Sequence, residues 1–121
     1  MVTAVWIAAG GAVGTLARYG LAGLINERGH PWGTVTVNVV GSLILGVLVG
    51  IWGVDHGSDH QLALTVGLLG GFTTFSTFAL DTIRVWEDGN ATLALMTVVV
   101  SVALGIAAAV AGLALGRGLG S

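Results

Sequence analysis

The sequence lacks several residue types that soluble proteins depend on. It has no lysine, no cysteine and a single proline among 121 residues. Charged residues make up 8% of the chain, whereas a soluble domain carries roughly a quarter. A surface so poor in charge cannot face water on all sides. The missing cysteines exclude disulfides and thiolate chemistry, and the absence of any basic cluster excludes a nucleic-acid partner.

Hydrophobic residues, at 55% of the chain, are abundant instead. They recur over four ranges, each close to the ~20 residues that a helix needs to cross the hydrocarbon layer. The sequence therefore predicts an all-α membrane protein, one domain over residues 1–121, with transmembrane helices at about 2–25, 35–54, 62–85 and 93–115. Buried helices of a soluble protein are the alternative, but four of them would leave no amphipathic covering.

The arginines give the chain little preference for one orientation in the bilayer. Four spans put both termini on one side, with Arg117 there and Arg28 and Arg84 on the other side. This balance fits a chain that inserts both ways round and pairs antiparallel with itself, or one that favours a single orientation by a small margin. Four helices also make a thin bundle rich in helix-packing glycines, so we expect an oligomer.

The few polar residues at membrane depth need partners there. Asn38 and Ser42 stand one turn apart on the second span and face one neighbour, and Thr97 and Ser101 do the same on the fourth. A lone hydroxyl such as Thr97 or Ser42 can bond back to its own helix. The amide of Asn38 cannot be satisfied by a single bond of this kind.

The densest group of polar residues is the run Gly-Gly-Phe-Thr-Thr-Phe-Ser-Thr-Phe at 70–78. Paired glycines followed by hydroxyl and β-branched residues form a poor helix, which predicts an unwound or kinked turn in the third span. Carbonyls freed by the break could hold a small cation. The alternative is that hydroxyls of Thr73, Thr74 or Ser76 satisfy these carbonyls and no ion is needed.

The same run carries two aromatic side chains at helical spacing. Phe75 and Phe78 would project from one face, with partially positive ring edges, although plain packing is the alternative. No carboxylate or lysine lies in the middle of any span, so hydrogen-bond donors dominate, a lining that suits a small anion. The three histidines fall in predicted loops and form no catalytic set, so the sequence predicts no enzyme.

Three motifs together resemble the Fluc (CrcB) family of fluoride channels. They are the run at 70–78, the glycine motif at 10–14 leading to Arg18-Tyr19, and Gly33-Thr34 followed by Val37-Asn38 and Gly41. The resemblance covers the whole chain. It implies a passive, fluoride-selective exporter of the microbial plasma membrane that works as an antiparallel, dual-topology homodimer with two pores.

The resemblance also implies roles for individual residues. A sodium ion at the dimer centre would be held by backbone carbonyls of Gly70 and Thr73. The fluoride pathway would be lined by two phenylalanines, an asparagine, a polar track and a vestibule arginine, which match Phe75 and Phe78, Asn38, Ser76, Thr77 and Ser101, and Arg18. Asp81 stands where the family often has a glutamate.

Two other classes of membrane protein share part of this pattern. A small four-helix multidrug-resistance exporter has the same length and layout, but it needs an acid inside the first span, and Glu27 is the first acid here, already in the predicted loop. A membrane scaffold without transport activity would explain the glycines. It would leave the hydroxyl and phenylalanine cluster unexplained.

Overall fold

The computed structural model describes residues 2–25, 31–53 and 57–120, and every regular element within these ranges is helical. The segments that hold His30 and His56, predicted to be loops, lie outside the described residues. The helices are α1 (Val2–Ile25), α2 (Trp32–Trp52), α3 (Asp59–Leu62), a π-helical segment (Ala63–Leu69), α4 (Gly70–Phe72), α5 (Phe75–Glu87) and α6 (Ala91–Gly120).

The ends of α2 follow from its proline and its glycine. The Pro31 carbonyl accepts a hydrogen bond from the Val35 N–H at 3.1 Å, and the constrained φ of proline suits the start of a helix. Gly53 ends the helix with φ 86°, a value that glycine adopts without strain. The helix therefore begins at Trp32, three residues before the predicted span, because the proline starts the helix before the apolar run begins.

The third span extends beyond its predicted limits at both ends, from Asp59 to Glu87. Ser58 and Gln61 form a capping box at its start, since the Ser58 hydroxyl accepts the Gln61 N–H and the Gln61 side chain accepts the Ser58 N–H. The seven-residue π-helical segment follows directly after α3. Hydropathy alone missed this polar but well-capped first turn.

The last helix, α6, is 30 residues long and also extends beyond the predicted 93–115. Gly89, with φ 85°, makes the tight turn before it, and the Asn90 side chain accepts the Leu93 N–H at 3.0 Å. Most of this helix is exposed apolar surface. In water such a surface would be unstable, but a lipid bilayer covers it at no cost.

The helices pack as two parallel pairs along seams of glycine. In the first, which we call the α1 seam, α1 runs beside residues 59–72 of the third span. A Cβ at Gly10 would collide with the Ala63 backbone, and a Cβ at Gly14 would collide with the Leu68 backbone. A Cβ at Gly71 would lie 2.6 Å from the Gly11 carbonyl oxygen. Backbones this close exclude any side chain, the packing that membrane helices use where no hydrophobic force draws them together.

The second pair, the α6 seam, joins α2 to α6 in the same parallel sense. A Cβ at Gly46 would collide with the Ala109 carbonyl, and one at Gly50 would lie 2.6 Å from the Leu113 carbonyl oxygen. Gly112 and Gly116 meet the α2 backbone from the other side. This seam is the most extensive helix contact in the described structure.

Three stretches are long and apolar enough to cross a membrane, namely Trp32–Trp52, Asp59–Glu87 and Ala91–Gly120. The first predicted span, α1, is helical over 24 residues and matches its predicted bounds. It carries Arg18 and is not among those three. Length and composition therefore support three of the four predicted crossings.

Candidate functional site

The third span breaks at two threonines between α4 and α5. Thr73 has φ −88° and ψ 155°, and Thr74 has φ −156° and ψ 128°, both extended. Gly70 is helical, with φ −62° and ψ −37°. The break predicted within the run at 70–78 is present, and it lies at the two threonines rather than at the paired glycines. Gly71 serves close packing in the α1 seam, so glycine here does not unwind the helix.

The hydroxyl groups at the break bond to nearby atoms of the third span. The Thr73 hydroxyl and N–H both donate to the Leu69 carbonyl, each at 2.9 Å. The Thr74 hydroxyl accepts the Thr77 N–H at 3.3 Å and lies 3.1 Å from the Ser76 hydroxyl, so Thr74 caps α5. Among the residues described at 57–120, none of these hydroxyls bonds to the carbonyl of Gly70 or Thr73.

Asn38 pairs its side-chain amide with the backbone of Thr74. The Thr74 N–H donates to Asn38 Oδ1 at 2.9 Å, and Asn38 Nδ2 donates to the Thr74 carbonyl at 3.1 Å. The expectation that this amide needs more than one partner is confirmed. The bonds join α2 to the break across 36 residues of sequence.

Arg18 reaches the same break from α1. Its Nε donates to the Gly71 carbonyl at 3.1 Å, just before the extended residues. A helix that ends inside a membrane leaves its last carbonyls without intrahelical donors, and each needs a polar partner. Arg18 supplies one such donor, and its terminal nitrogens remain for other groups.

Arg18 also lines a cavity of about 450 Å³ together with Tyr19, Thr34, Thr77, Asp81 and Arg84. The Thr34 hydroxyl donates to Asp81 Oδ2 at 2.6 Å, and the nearest Arg84 nitrogen lies 3.9 Å from Asp81 Oδ1. Among the described residues that line it, two arginines stand against one carboxylate. Its charge favours anions, and Thr77 connects it to the capped end of α5.

Phe75 and Phe78 form an edge-to-face pair at the start of α5. Their ring centroids are 5.6 Å apart with an interplanar angle of 65°. Phe78 is 8% exposed, whereas Phe75 is 80% exposed. A large ring left uncovered in the middle of a span, beside a helix N-terminus, is not explained by packing within the chain.

The hydroxyl of Ser101 on α6 is buried and has no hydrogen-bond partner among the described residues. The α6 seam pairs residue 42 with 105, 46 with 109 and 50 with 113, so the same offset puts Ser101 level with Asn38. Thr97, one turn earlier, bonds back to the Leu93 carbonyl at 2.8 Å, as expected. The unpartnered group is therefore at the level of the break.

A second cavity, of about 130 Å³, lies on the other side of the break. Gly70 and Thr73 line it with residues from α2 and the π-helical segment, namely Gly41, Ser42, Leu45, Thr65 and Leu69. The Thr74 N–H, which would close the next helical turn onto the Gly70 carbonyl, is bonded to Asn38. The small pocket is therefore bordered by backbone carbonyls that lack their usual helical hydrogen bonds.

Sequence reasoning missed two contacts that shape the site. Thr34 lies one turn before Asn38 on the same face of α2, and that spacing could have indicated its role as the partner of Asp81. Gly41 has no Cβ because one would collide with the Thr73 methyl group. No local signal indicates this second contact, since glycine is common throughout the chain.

Comparison with known proteins identifies the family. Residues 5–113 match the family model described as CrcB-like protein, Camphor Resistance (CrcB). Three relatives are each named fluoride-specific ion channel FluC. The protein of Paracoccus denitrificans is 49% identical over 93% of both chains. The Agrobacterium fabrum protein is 42% identical over 98% of this chain and 99% of its own, and the Geobacter sulfurreducens protein is 42% identical over 98% and 100%.

The apolar helices and the polar break within one of them define a multi-pass membrane protein. The chain belongs to the CrcB family. Its relatives carry the name of an ion channel, which is not an enzyme, in agreement with the prediction made from the histidines.

Proposed function

We propose that this protein is a fluoride-selective channel that passively exports fluoride across the cell (plasma or inner) membrane and so lowers fluoride toxicity. The observation that carries the proposal is a relative named fluoride-specific ion channel that is 49% identical over 93% of both chains. The polar break gives the proposal a physical basis. A dehydrated anion needs donors, and this part of the chain has a helix N-terminus, amides and hydroxyls but no fixed lysine to trap the ion.

The fluoride pathway runs from the 450 Å³ cavity past the start of α5. Arg18 would attract the anion, and Thr77 leads from that cavity to the phenylalanine pair. The positive ring edges of Phe75 and Phe78 replace part of the water around the ion. The residues assigned to the pathway are Arg18, Asn38, Phe75, Ser76, Thr77, Phe78 and Ser101.

The working unit is an antiparallel homodimer in which α1 also crosses the membrane and two copies insert with opposite topology. In such a dimer the second copy would cover the ring of Phe75, which is 80% exposed beside the break. Arg84 near the end of α5 and Arg117 near the end of α6 lie at opposite ends of the helix bundle, so neither end is strongly favoured on the positive side of a bilayer. Single cysteines near each terminus should therefore react with an external label in about half of the molecules.

A sodium ion held between the two breaks would serve as a structural ion. Gly70 and Thr73 fit it, because they line the 130 Å³ cavity and the hydroxyls of Thr73, Thr74 and Ser76 bond to other groups. Backbone oxygens without a carboxylate suit a hard monovalent cation. When bound, the ion supplies positive charge near the anion pathway.

The decisive experiment is efflux from liposomes that hold the purified protein, followed with fluoride and chloride electrodes. We expect fluoride to leave and chloride to stay. A multidrug-type exporter would move organic cations and neither halide, and a scaffold would move nothing. Replacing sodium with a large organic cation should lower fluoride flux and dimer integrity together. If neither falls in sodium-free buffer, no such ion is needed.

A further inference from the structure

We infer that Asn38, beyond its place along the proposed pathway, is a positioning residue that holds the third span open through its bonds to the Thr74 backbone. The inference rests on the proposed function for its flux measurement. Its basis is the pair of hydrogen bonds, 2.9 Å and 3.1 Å, that match the Asn38 amide to both polar groups of Thr74. One side chain thus bonds both backbone polar groups of Thr74 at membrane depth.

The backbone N–H of Thr74 has two possible acceptors. In a continuous helix it would donate to the Gly70 carbonyl, as the preceding Thr73 N–H donates to Leu69. Asn38 Oδ1 takes it instead, and Thr74 is extended. Asn38 therefore competes with the Gly70 carbonyl for the Thr74 N–H. Its bond leaves the Gly70 carbonyl without this helical donor.

Arg18 acts in the same way on the next carbonyl. A continuous helix would close the Phe75 N–H onto Gly71, but the Gly71 oxygen accepts from Arg18 Nε at 3.1 Å. Arg18 from α1 and Asn38 from α2 thus bond to the Gly71 carbonyl and the Thr74 N–H, two backbone groups that would bond within the third span if its helix were continuous. The break is preformed by the protein, so a bound cation is not required to create it.

The amide geometry suggests a specific substitution. Asn38→Asp keeps an acceptor for the Thr74 N–H but, when ionised, sets a carboxylate oxygen against the Thr74 carbonyl. A protonated carboxyl restores the donor and matches the original amide. Fluoride flux through Asn38→Asp should be about tenfold below the wild type at about pH 8, and should recover to within about threefold at about pH 5.5.

Two matched variants serve as controls. Asn38→Ala has neither group and should stay low at both pH values. Thr36→Val lies on the same helix, where its hydroxyl bonds only to the Trp32 carbonyl, and should follow the wild type. Of the described charged groups, Arg18 from α1 bonds to the break, and Asp81 and Arg84 from α5 line the cavity beside it, while α6 brings the hydroxyls of Thr97 and Ser101 to this level. The wild-type profile records any titration of Asp81, and protein-free vesicles record leakage of hydrogen fluoride.

Thermal unfolding in detergent tests the positioning role of Asn38 in the absence of fluoride. The melting temperature of Asn38→Asp should lie below that of the wild type at about pH 8, and the gap should close at about pH 5.5. Full flux through Asn38→Ala would overturn the inference. So would an Asn38→Asp flux defect with no pH dependence, or a melting temperature gap that does not change with pH.

A longer side chain gives a second route if Asn38→Asp does not assemble. Asn38→Gln keeps both amide groups but displaces them by one methylene, so we expect assembly with flux lowered several-fold. Flux equal to that of the wild type would contradict a positioning role. If the wild type shows no fluoride flux, only the proposed function is refuted. The comparison of melting temperatures would still test the positioning role of Asn38.

Discussion

The α1 seam and the α6 seam are built alike, yet only one of them leads to a break in a helix. Both join parallel helices through glycines that touch the backbone of the neighbour. In the α6 seam both helices continue without interruption, and α6 runs for 30 residues. In the α1 seam the helix of the third span ends at Phe72, one residue after Gly71. Arg18 bonds to the Gly71 carbonyl and Asn38 to the Thr74 backbone at this break.

This difference separates the two roles of small residues in the chain. Glycine brings the helices together in both seams, and it does not by itself interrupt either one. The break needs β-branched threonines, which are poor helix formers, and polar side chains from other helices that can replace the lost backbone bonds. The following predictions test this division of roles, from the largest expected effect to the smallest.

The largest effect should come from glycines at backbone contacts. Gly14→Ala drives a methyl group into the Leu68 carbonyl and should cost about 3 kcal/mol or more, enough to prevent assembly. Gly46→Ala should do the same in the α6 seam. The controls Gly11→Ala and Gly105→Ala meet only one atom each, at 3.9 Å, and should be tolerated. Size-exclusion profiles and melting temperatures measure the difference. Equal behaviour of all four variants would show that these glycine contacts do not determine helix packing.

A second prediction concerns the rings at the break, for which the α6 seam has no counterpart. Phe78→Ile, and more clearly Phe75→Ile, should lower fluoride flux about tenfold while the protein still assembles. An aliphatic side chain has similar bulk but no positive edge. Phe72→Ile, outside the proposed pathway, is the control. Normal flux through both assembled pathway variants would mean that the rings only pack.

A third, smaller effect is expected at the contact between α2 and α5. Thr34→Val removes the donor to Asp81 and leaves a largely buried carboxylate 3.9 Å from Arg84. The loss should be about 1–3 kcal/mol of stability. Thr36→Val, which loses only a bond within its own helix, provides the comparison in thermal unfolding. Equal melting temperatures for the two variants would show that the Thr34 bond adds nothing.

The smallest effect should come from Arg84, whose side chain is 64% exposed at the cavity. Arg84→Gln should slow fluoride flux about twofold at low ionic strength and leave it unchanged at high salt, because screening removes the attraction of an exposed charge. Arg117→Gln is the matched control, because Arg117 lies near Gly50 in the α6 seam and does not line the cavity. A defect that persists at high salt would instead indicate a structural role for Arg84.

Much of the fold could be predicted from hydropathy and local chemistry. The four helices follow from four apolar runs, and α1 has the predicted bounds. The other helix ends were missed because a proline, a capping box and an asparagine cap extend helices into polar sequence. The break was predicted within the run at 70–78 from its glycines and its β-branched threonines together. The sequence does not show that only the threonines are extended, because the contact that keeps Gly71 helical comes from α1.

The sequence by itself determined that this chain enters a membrane, that its third span cannot be a regular helix throughout, and to which family it belongs. These conclusions rest on composition and short motifs, which depend on neighbours in sequence. Only the tertiary structure decided that the break falls at Thr73 and Thr74, that Asn38 pairs with the Thr74 backbone, and that Thr34 bonds to Asp81. Those contacts join residues 36 and 47 positions apart, and they form because glycine seams fix which helix faces meet.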